Sequence, residues 1–506
     1  MNGAFLLFSS VIVPFFLGLF LFFFPKISLV FQRSLALLGF SFPLIVAIFL
    51  FWGFQPSAET GYDYLWQMDT GLQSVLGISL HLGLNGIGLI LYILAAVVSL
   101  AAGISAVWSR AERLGWYLGL LLCMQTGLLG VFASVDLFFI YFFYELAVIP
   151  SFVMMGIWGG AGRKGAAIEM AVFLTLGTTL SLLGLITLYS QTEVRSLDLI
   201  ELHRYFAEHS FLGEGNDSFL KNNLLAFLLF GVGILASLFP LHSWAPRGYA
   251  EAPCSVAMLH AGVLNKFGLY LLIQVAVPFL PEGMGNWKEV LMGLALGNII
   301  IIGLVTLAQK NLKSLLGYSS VMHMGYGLLG IASMSVLGVS GTVLLLFANG
   351  LSVALLFLLA TVIHQRIETM DFQSMGGLAG KVPLLSAFFV AAIFASIGLP
   401  GFANFWGELA IFFALGEHPW ILFLAATGII ISAIYGLRAV AAIFYGKPTE
   451  PLEAVLRSKK IKDLVWVERL PAILLLICLI VVGVYPSLIS DPLNKGVITL
   501  FSEINR

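Results

Sequence analysis

Apolar residues fall along this chain in blocks of about twenty, the length a helix needs to cross a bilayer. Fourteen blocks are read, at approximately 4–24, 33–53, 85–107, 114–132, 136–159, 167–190, 221–245, 254–278, 289–309, 313–333, 336–363, 383–416, 420–444 and 470–490. Only two hydrophilic connections are long, about 191–220 and 445–469, and neither suffices for a separate soluble domain of ordinary size. The pattern predicts an all-α polytopic membrane protein with about 14 transmembrane helices. No charge precedes Lys26, so Phe5–Phe24 reads as a retained first helix and not as a signal peptide.

Composition agrees: 60% of the 506 residues are hydrophobic and 10% charged, against about 25% charged in soluble domains. That excludes a soluble enzyme and a disordered chain, and a net charge of −1 gives no pull toward nucleic acid. The environment to expect is the lipid bilayer. With the N-terminus outside, the inside loops collect 17 of the 25 Lys and Arg residues and the outside loops 6, while Lys266 and Arg438 lie within spans. This asymmetry follows the positive-inside rule and predicts both termini outside. Cys123, Cys254 and Cys478 are far apart and form neither a disulfide framework nor a thiolate metal site.

Two segments interrupt their helices. One is Leu238-Phe239-Pro240-Leu241-His242-Ser243-Trp244-Ala245-Pro246, leading to Glu251-Ala252-Pro253; the other runs from Leu399-Pro400-Gly401 to Gly407-Glu408. Proline removes a backbone donor, which is tolerated at membrane depth only beside protein or a wet cavity. Interrupted spans at corresponding places in two halves point to a transporter site between repeats. Helices four to eight and nine to thirteen are therefore read as two five-helix repeats, inverted because each has an odd number of spans. The division is 1–110 for helices one to three, 111–280 and 281–446 for the repeats, and 447–506 for a basic amphipathic segment and the last helix. Residues 447–469 are expected along the membrane surface, anchored by Leu464-Val465-Trp466-Val467 and leading the last helix onto a neighbouring subunit.

An ionisable residue at mid-membrane costs about 2.5–3.5 kcal/mol on the insertion scale, so those that persist usually mark an ion or proton pathway. Glu145, Glu169, Lys266, His323, Glu408 and Arg438 all lie in apolar runs. Long apolar stretches flank Glu145, Lys266 and Glu408 on both sides, whereas Glu169 and Arg438 lie near span ends, where a pinning pair is an equal reading. His260 precedes Lys266 by one and a half turns and projects differently. Gly159-Gly160-Ala161-Gly162-Arg163-Lys164-Gly165 lacks both the preceding strand and the ending of a phosphate loop and reads as a short inside loop. Nothing indicates redox, nucleotide or metal chemistry within the chain. It reads as a conductor of ions.

Several motifs, in order, carry a resemblance over roughly residues 80–450. They are Tyr144-Glu145-Leu146 with Pro150; the interrupted segment from Phe239 to Pro253; Ala261-Gly262-Val263-Leu264-Asn265-Lys266-Phe267-Gly268; Lys313 with Tyr318-Ser319-Ser320 and His323; and Leu399-Pro400-Gly401 with Asn404-Phe405 and Gly407-Glu408. The whole resembles the antiporter-like subunits of complex I, most closely the M type, whose counterparts are subunit 4 in mitochondria and the equivalent chain in photosynthetic forms. Glu408 discriminates, because L, N and Mrp relatives generally place lysine there.

The resemblance implies a proton-translocating subunit of a NAD(P)H:quinone oxidoreductase, with Glu145, Lys266, His323 and Glu408 as the proton pathway. His242, His260, Tyr318, Ser319, Asn349 and Arg438 are auxiliary candidates. It implies no cofactor in this chain; quinone, NAD(P)H or another donor, flavin and Fe–S clusters would belong to partner subunits. Its neighbours would be other antiporter-like and small membrane subunits, in a bacterial inner membrane or a thylakoid membrane. The chain departs from the family at two positions. The expected seventh-helix lysine is Leu235, and an eleventh-helix histidine is Asn349, so Glu145 lacks its usual partner. A membrane-bound hydrogenase or cation/proton antiporter subunit, and a non-pumping structural subunit, are the alternatives.

Overall fold

The computed structural model describes residues 3–55, 64–71, 77–190, 192, 194, 196–208, 218–450, 452–453, 457 and 461–504, and all fourteen apolar blocks fall on helix. In chain order these begin with α1 (Gly3–Phe23), α2 (Leu29–Gly53), α3 (Gly86–Val107), α4 (Leu114–Ala133), α5 (Leu137–Trp158) and α6 (Arg163–Ser190). A short surface helix, α7 (Leu199–Glu208), precedes the seventh block, which is split into α8 (Ser218–Leu235) and α9 (Trp244–Glu251). The eighth block is α10 (Cys254–Gly262), a 3-10 turn at Leu264–Lys266, α11 (Phe267–Leu271), a π turn at Leu272–Ala276 and α12 (Val277–Phe279). The ninth is α13 (Pro281–Leu296), a π turn at Gly297–Ile302 and α14 (Gly303–Ala308). Then come α15 (Leu312–Ala332), α16 (Val336–Ile367), α17 (Pro383–Ile397), α18 (Ala403–Ala414), α19 (Pro419–Phe444) and a last span, Trp466–Val484.

Eleven of these described segments are long and apolar enough to cross a membrane. The three blocks outside that set are the seventh, tenth and twelfth. Two are broken by proline, and the tenth, α15, carries Lys313, Tyr318, Ser319, Ser320 and His323. The breaks occupy the fourth helix of each proposed group of five. α16 forms the spine: its 32 residues are almost all buried, and it packs on α3, α10, α15, α17, α18 and the last span.

At both breaks hydrogen bonds tie the interrupted segment to neighbouring carbonyls, as membrane depth demands. At the first, the Leu238 N–H donates to the Gly233 carbonyl at 2.7 Å, and the Trp244 indole donates to the Ile234 carbonyl at 3.0 Å. At the second, Gly398 ends α17 in the left-handed region (φ +80°), and the Trp406 indole reaches the Gly483 carbonyl of the last span at 2.7 Å. The glycine loop after α5 is held by Glu251: its carbonyl accepts from the Gly160 N–H and its carboxylate from the Gly162 N–H. That is an anchor to α9, with no free phosphate cradle.

The chain departs from an all-helical reading on the face where α1 begins. There β1 (Leu65–Asp69) pairs antiparallel with β2 (His81–Leu84). The hairpin is clasped to two later segments. Val135 N–H donates to the His81 carbonyl, Leu197 N–H to the Gly77 carbonyl, and Ser79 N–H to Asp136. His81 Nδ1 lies 2.5 Å from an Asp198 carboxylate oxygen. Burial alone would lower the His81 pKa, but Asp198, with Asp69 and Asp136 behind it, more than reverses this, and the net direction is upward from 6.5. The pair therefore stabilises the clasp fully below the unfolded-state pKa, and that stabilisation is lost as pH rises through the folded-state value. Amide exchange in residues 77–84, corrected for intrinsic rates, should be severalfold faster at pH 8 than at pH 6, and His81→Gln should abolish the difference.

The C-terminal region is tied back to the body of the chain. The described end of the basic segment is strapped to this chain: Asp463 caps α17 through the Leu384 and Leu385 N–H groups, and Arg366 of α16 pairs with Glu468 at 2.6 Å. The last span packs on α3, α16 and α18. Lys459 and Lys460, on which the surface reading leaned, lie outside the described residues. A further helix, Ser487–Ile504, follows the last span and packs against α3 and α16.

Candidate functional site

Lys266 sits where the eighth span loses its α-helical winding. Val263 leaves the helix (φ −125°, ψ −58°), and the 3-10 turn that follows lets the side chain fold back. Its Nζ donates to the Ala261 carbonyl at 2.8 Å and to Asn349 Oδ1 at 3.0 Å, fully buried. Glycines permit this approach of α10 to α16. A Cβ on Gly262 would stand 3.0 Å from the Gly350 carbonyl oxygen, and one on Gly350 only 2.5 Å from that of Gly262. Among the described residues no carboxylate lies within 4 Å of Lys266, so the amine rests on neutral acceptors. Asn349, in the position of the family's histidine, is one of them.

Polar groups continue along α16. Ser352 Oγ donates to the Asn349 carbonyl at 3.1 Å, and Asn404 Nδ2 lies 3.5 Å from Ser352 Oγ, one turn before Glu408 on α18. Asn349 Nδ2 and Asn404 Oδ1 are both buried without a protein partner. A buried donor and a buried acceptor left open suit ordered water.

His323 and Glu408 form the second centre. His323 Nδ1 is 2.8 Å from the Ser319 carbonyl, and Nε2 is 3.0 Å from the Ser396 carbonyl and 4.0 Å from Glu408 Oε1. Both carbonyls only accept, and a neutral imidazole has one N–H, so the ring satisfies both only when cationic. The ring therefore sits between two acceptors with a carboxyl oxygen 4.0 Å away. Glu408 lies against Gly398, where an added Cβ would collide with its carboxylate. Gly398→Val therefore combines a left-handed backbone with a steric clash and should cost more than the about 1–2 kcal/mol of the backbone effect alone. Its measure is the amount of subunit recovered in membranes.

The remaining candidates lie apart from this centre. Glu145 is half-buried on α5, and no described basic nitrogen lies within 4 Å; the hydroxyl of Thr178 on α6 donates to the Leu174 and Thr175 carbonyls of its own helix. Leu235, the residue in place of the family's lysine, is buried and packs on Gly177 of α6, so hydrocarbon fills that position. His260 is enclosed between the rings of Trp244 and Tyr249, with both nitrogens unpartnered. His242 lies in the first break, its ring 6.5 Å from that of Tyr318, while Ser319 shares a hydrogen bond with the Tyr435 hydroxyl. Arg438 is exposed and donates to the Leu307 and Gln309 carbonyls at the end of α14, and Glu169 pairs with Arg247 at 2.8 Å. Both charges pin helix ends. Sequence reasoning missed Ser352 and Asn298 and gave Asn404 no role of its own; their only signal is an amide or hydroxyl inside an apolar run.

The family model described as NADH:quinone oxidoreductase/Mrp antiporter, transmembrane, matches residues 134–434, more than half of the chain and both breaks. The chain belongs to this family. Among curated relatives it is 31% identical over 444 residues to "NAD(P)H-quinone oxidoreductase chain 4" of Gloeobacter violaceus, covering 86% of this chain and 81% of that one. It is also 31% identical over 426 residues to "NADH-quinone oxidoreductase subunit M" of Rickettsia bellii, covering 83% of each. A chain of respiratory complex I from Thermus thermophilus with bound NADH superposes with a TM-score of 0.86 at 27% identity, over 98% of this chain and 99% of that one. The resemblance drawn from the motifs is thus borne out over the full architecture. In this antiporter-like fold Lys266 meets Asn349 on α16, and the helices that carry His323 and Glu408, α15 and α18, pack on that same helix.

Proposed function

We propose that the chain is an M-type membrane-arm subunit of a complex I-type NAD(P)H:quinone oxidoreductase and moves protons through Lys266, His323 and Glu408. The observation that carries this is the buried His323 ring between two carbonyls, 4.0 Å from Glu408, beside a broken helix. Protons enter from the side where α1 ends, reach Lys266, pass to His323 and leave by Glu408 toward the side where both termini lie. The two halves, 111–280 and 281–446, each supply one broken helix. Moving one charge against 100 mV requires about 2.3 kcal/mol, which quinone reduction in partner subunits holding the flavin and Fe–S clusters would supply. A bacterial inner membrane, with the termini outside, suits the Lys/Arg asymmetry.

One observation favours a second reading. With Leu235 packed where a cation is expected, Glu145 has no ionic partner to exchange, as a non-pumping structural subunit would permit. Affinity purification of the tagged chain from mild detergent decides the host complex: NADH-oxidising and quinone-binding subunits should accompany it. Recovery with only hydrogenase or only cation-antiporter subunits overturns the assignment. Proton uptake by sealed vesicles of the purified complex then separates pumping from structure.

A further inference from the structure

Deep in the molecule one side chain bridges the two halves. Asn298 lies in the π turn of the ninth span and has no exposed surface. Its Oδ1 accepts from the Phe239 N–H, inside the first break, at 2.6 Å. Its Nδ2 donates to the Val321 carbonyl at 2.8 Å and approaches the Ser237 carbonyl at 3.4 Å. Val321 is two residues before His323 on α15. Ser237 has a left-handed backbone (φ +53°), and its hydroxyl donates to Asn265 Oδ1 at 3.2 Å, the residue next to Lys266. The Phe239 ring sits over Gly297, where a Cβ would come within 2.7 Å of it. The π turn thus presents Asn298 to the first break at close range; such bulges are frequent at functional sites.

From Lys266 to His323 there is therefore a continuous tie: Asn265, Ser237, Asn298, Val321. A buried amide is costly unless its donors and acceptor are met, and here all its partners are backbone groups of two other spans. Lys266 hangs from a 3-10 turn and has no ion-pair partner among the described residues, so its placement relative to α15 depends on such ties. Resting on the proton-transfer reading above, we infer that Asn298 is a positioning residue: it holds the Lys266 turn in register with the His323 helix for proton transfer between them.

The test uses the assembled complex in sealed vesicles and reads three quantities: amount assembled, electron transfer, and protons moved per electron. Asn298→Asp keeps the size and the acceptor for Phe239 but, ionised, has no donor for Val321; Asn298→Leu removes both functions. Both variants should retain electron transfer, and the ratio should fall by at least half as much as in Glu408→Gln. Should Asn298→Leu fail to assemble, Asn298→Asp alone decides. A wild-type ratio in complexes that assemble, even in reduced amount, overturns the inference and leaves Asn298 a structural cap. Lys266→Met and Glu408→Gln serve as controls. If they too keep the wild-type ratio, the proton-transfer reading has failed and takes this inference with it; if they lower it and the Asn298 variants do not, only the inference falls.

Discussion

Glu408→Gln is expected to uncouple the complex without dismantling it. Glutamine matches glutamate in size and can still accept a hydrogen bond, but it has no exchangeable carboxyl proton. The carboxyl lies at the second break, beside Gly398 and 4.0 Å from the imidazole of His323. Loss of a positioned proton-transfer group typically costs about 10²–10⁴-fold in rate, so this subunit's proton flux should fall by roughly 10²-fold or more. The measurement is protons per electron in sealed vesicles, with assembly and electron transfer followed in parallel. Glu145→Gln should be much milder, since no described cation lies within 4 Å of Glu145 and Leu235 stands where a lysine partner was expected. Normal pumping by Glu408→Gln in an intact complex would make the structural-subunit reading the better one.

Lys266→Met should give an equally large loss of proton output with little or no loss of stability. Removing one member of a buried ion pair costs about 3–5 kcal/mol because a charge is stranded. Lys266 has no such partner among the described residues; it donates to the Ala261 carbonyl and to Asn349 Oδ1. Methionine fills similar volume and removes a buried amine, while leaving two acceptors short of a donor at about 1–3 kcal/mol each. These effects offset, and the detergent-solubilised variant should unfold within a few degrees of the parent. The double variant with Glu408→Gln should pump no worse than either single one, because groups that act as a unit are strongly non-additive. Additive partial losses would mean two separate routes.

Much of this site was legible because charge in hydrocarbon is expensive. Lys266, His323 and Glu408 stood out against apolar runs, and Pro240 and Pro400 marked both breaks. The same signal marked Glu169 and Arg438, whose places near span ends left a pathway role and a pinning pair as equal readings; each ends on a partner there. Elsewhere it undercounted. Asn298, Ser352 and Asn404 are neutral, and uncharged polar groups cost far less at membrane depth, so nothing singled out Asn298 or Ser352, and Asn404 entered only as part of a motif. The 3-10 turn at Leu264–Lys266 and the π turn at Gly297–Ile302 lie within uniform apolar stretches whose hydropathy is indifferent to helical winding. The hairpin escaped for a different reason. Its strands have five and four residues, and its partners are residues 134–136 and 197–199, so its stability is written far from its own sequence.

That distance has a consequence for how the protein is made. His81 and Asp198 are 117 residues apart, and ribosomes add about 5–20 residues each second. The β2 edge therefore emerges roughly 6–23 s before the strap that closes over it, an interval set by the same elongation rate. During that interval α3 to α6 must be inserted. The clasp can form only once the connection after α6 has crossed to the face where α1 begins. A chain whose sixth span fails to cross leaves Asp198 on the wrong side and the hairpin open. An unclosed hairpin is thus a readable mark of faulty insertion, exposed to surface proteases while half of the chain has yet to be synthesised.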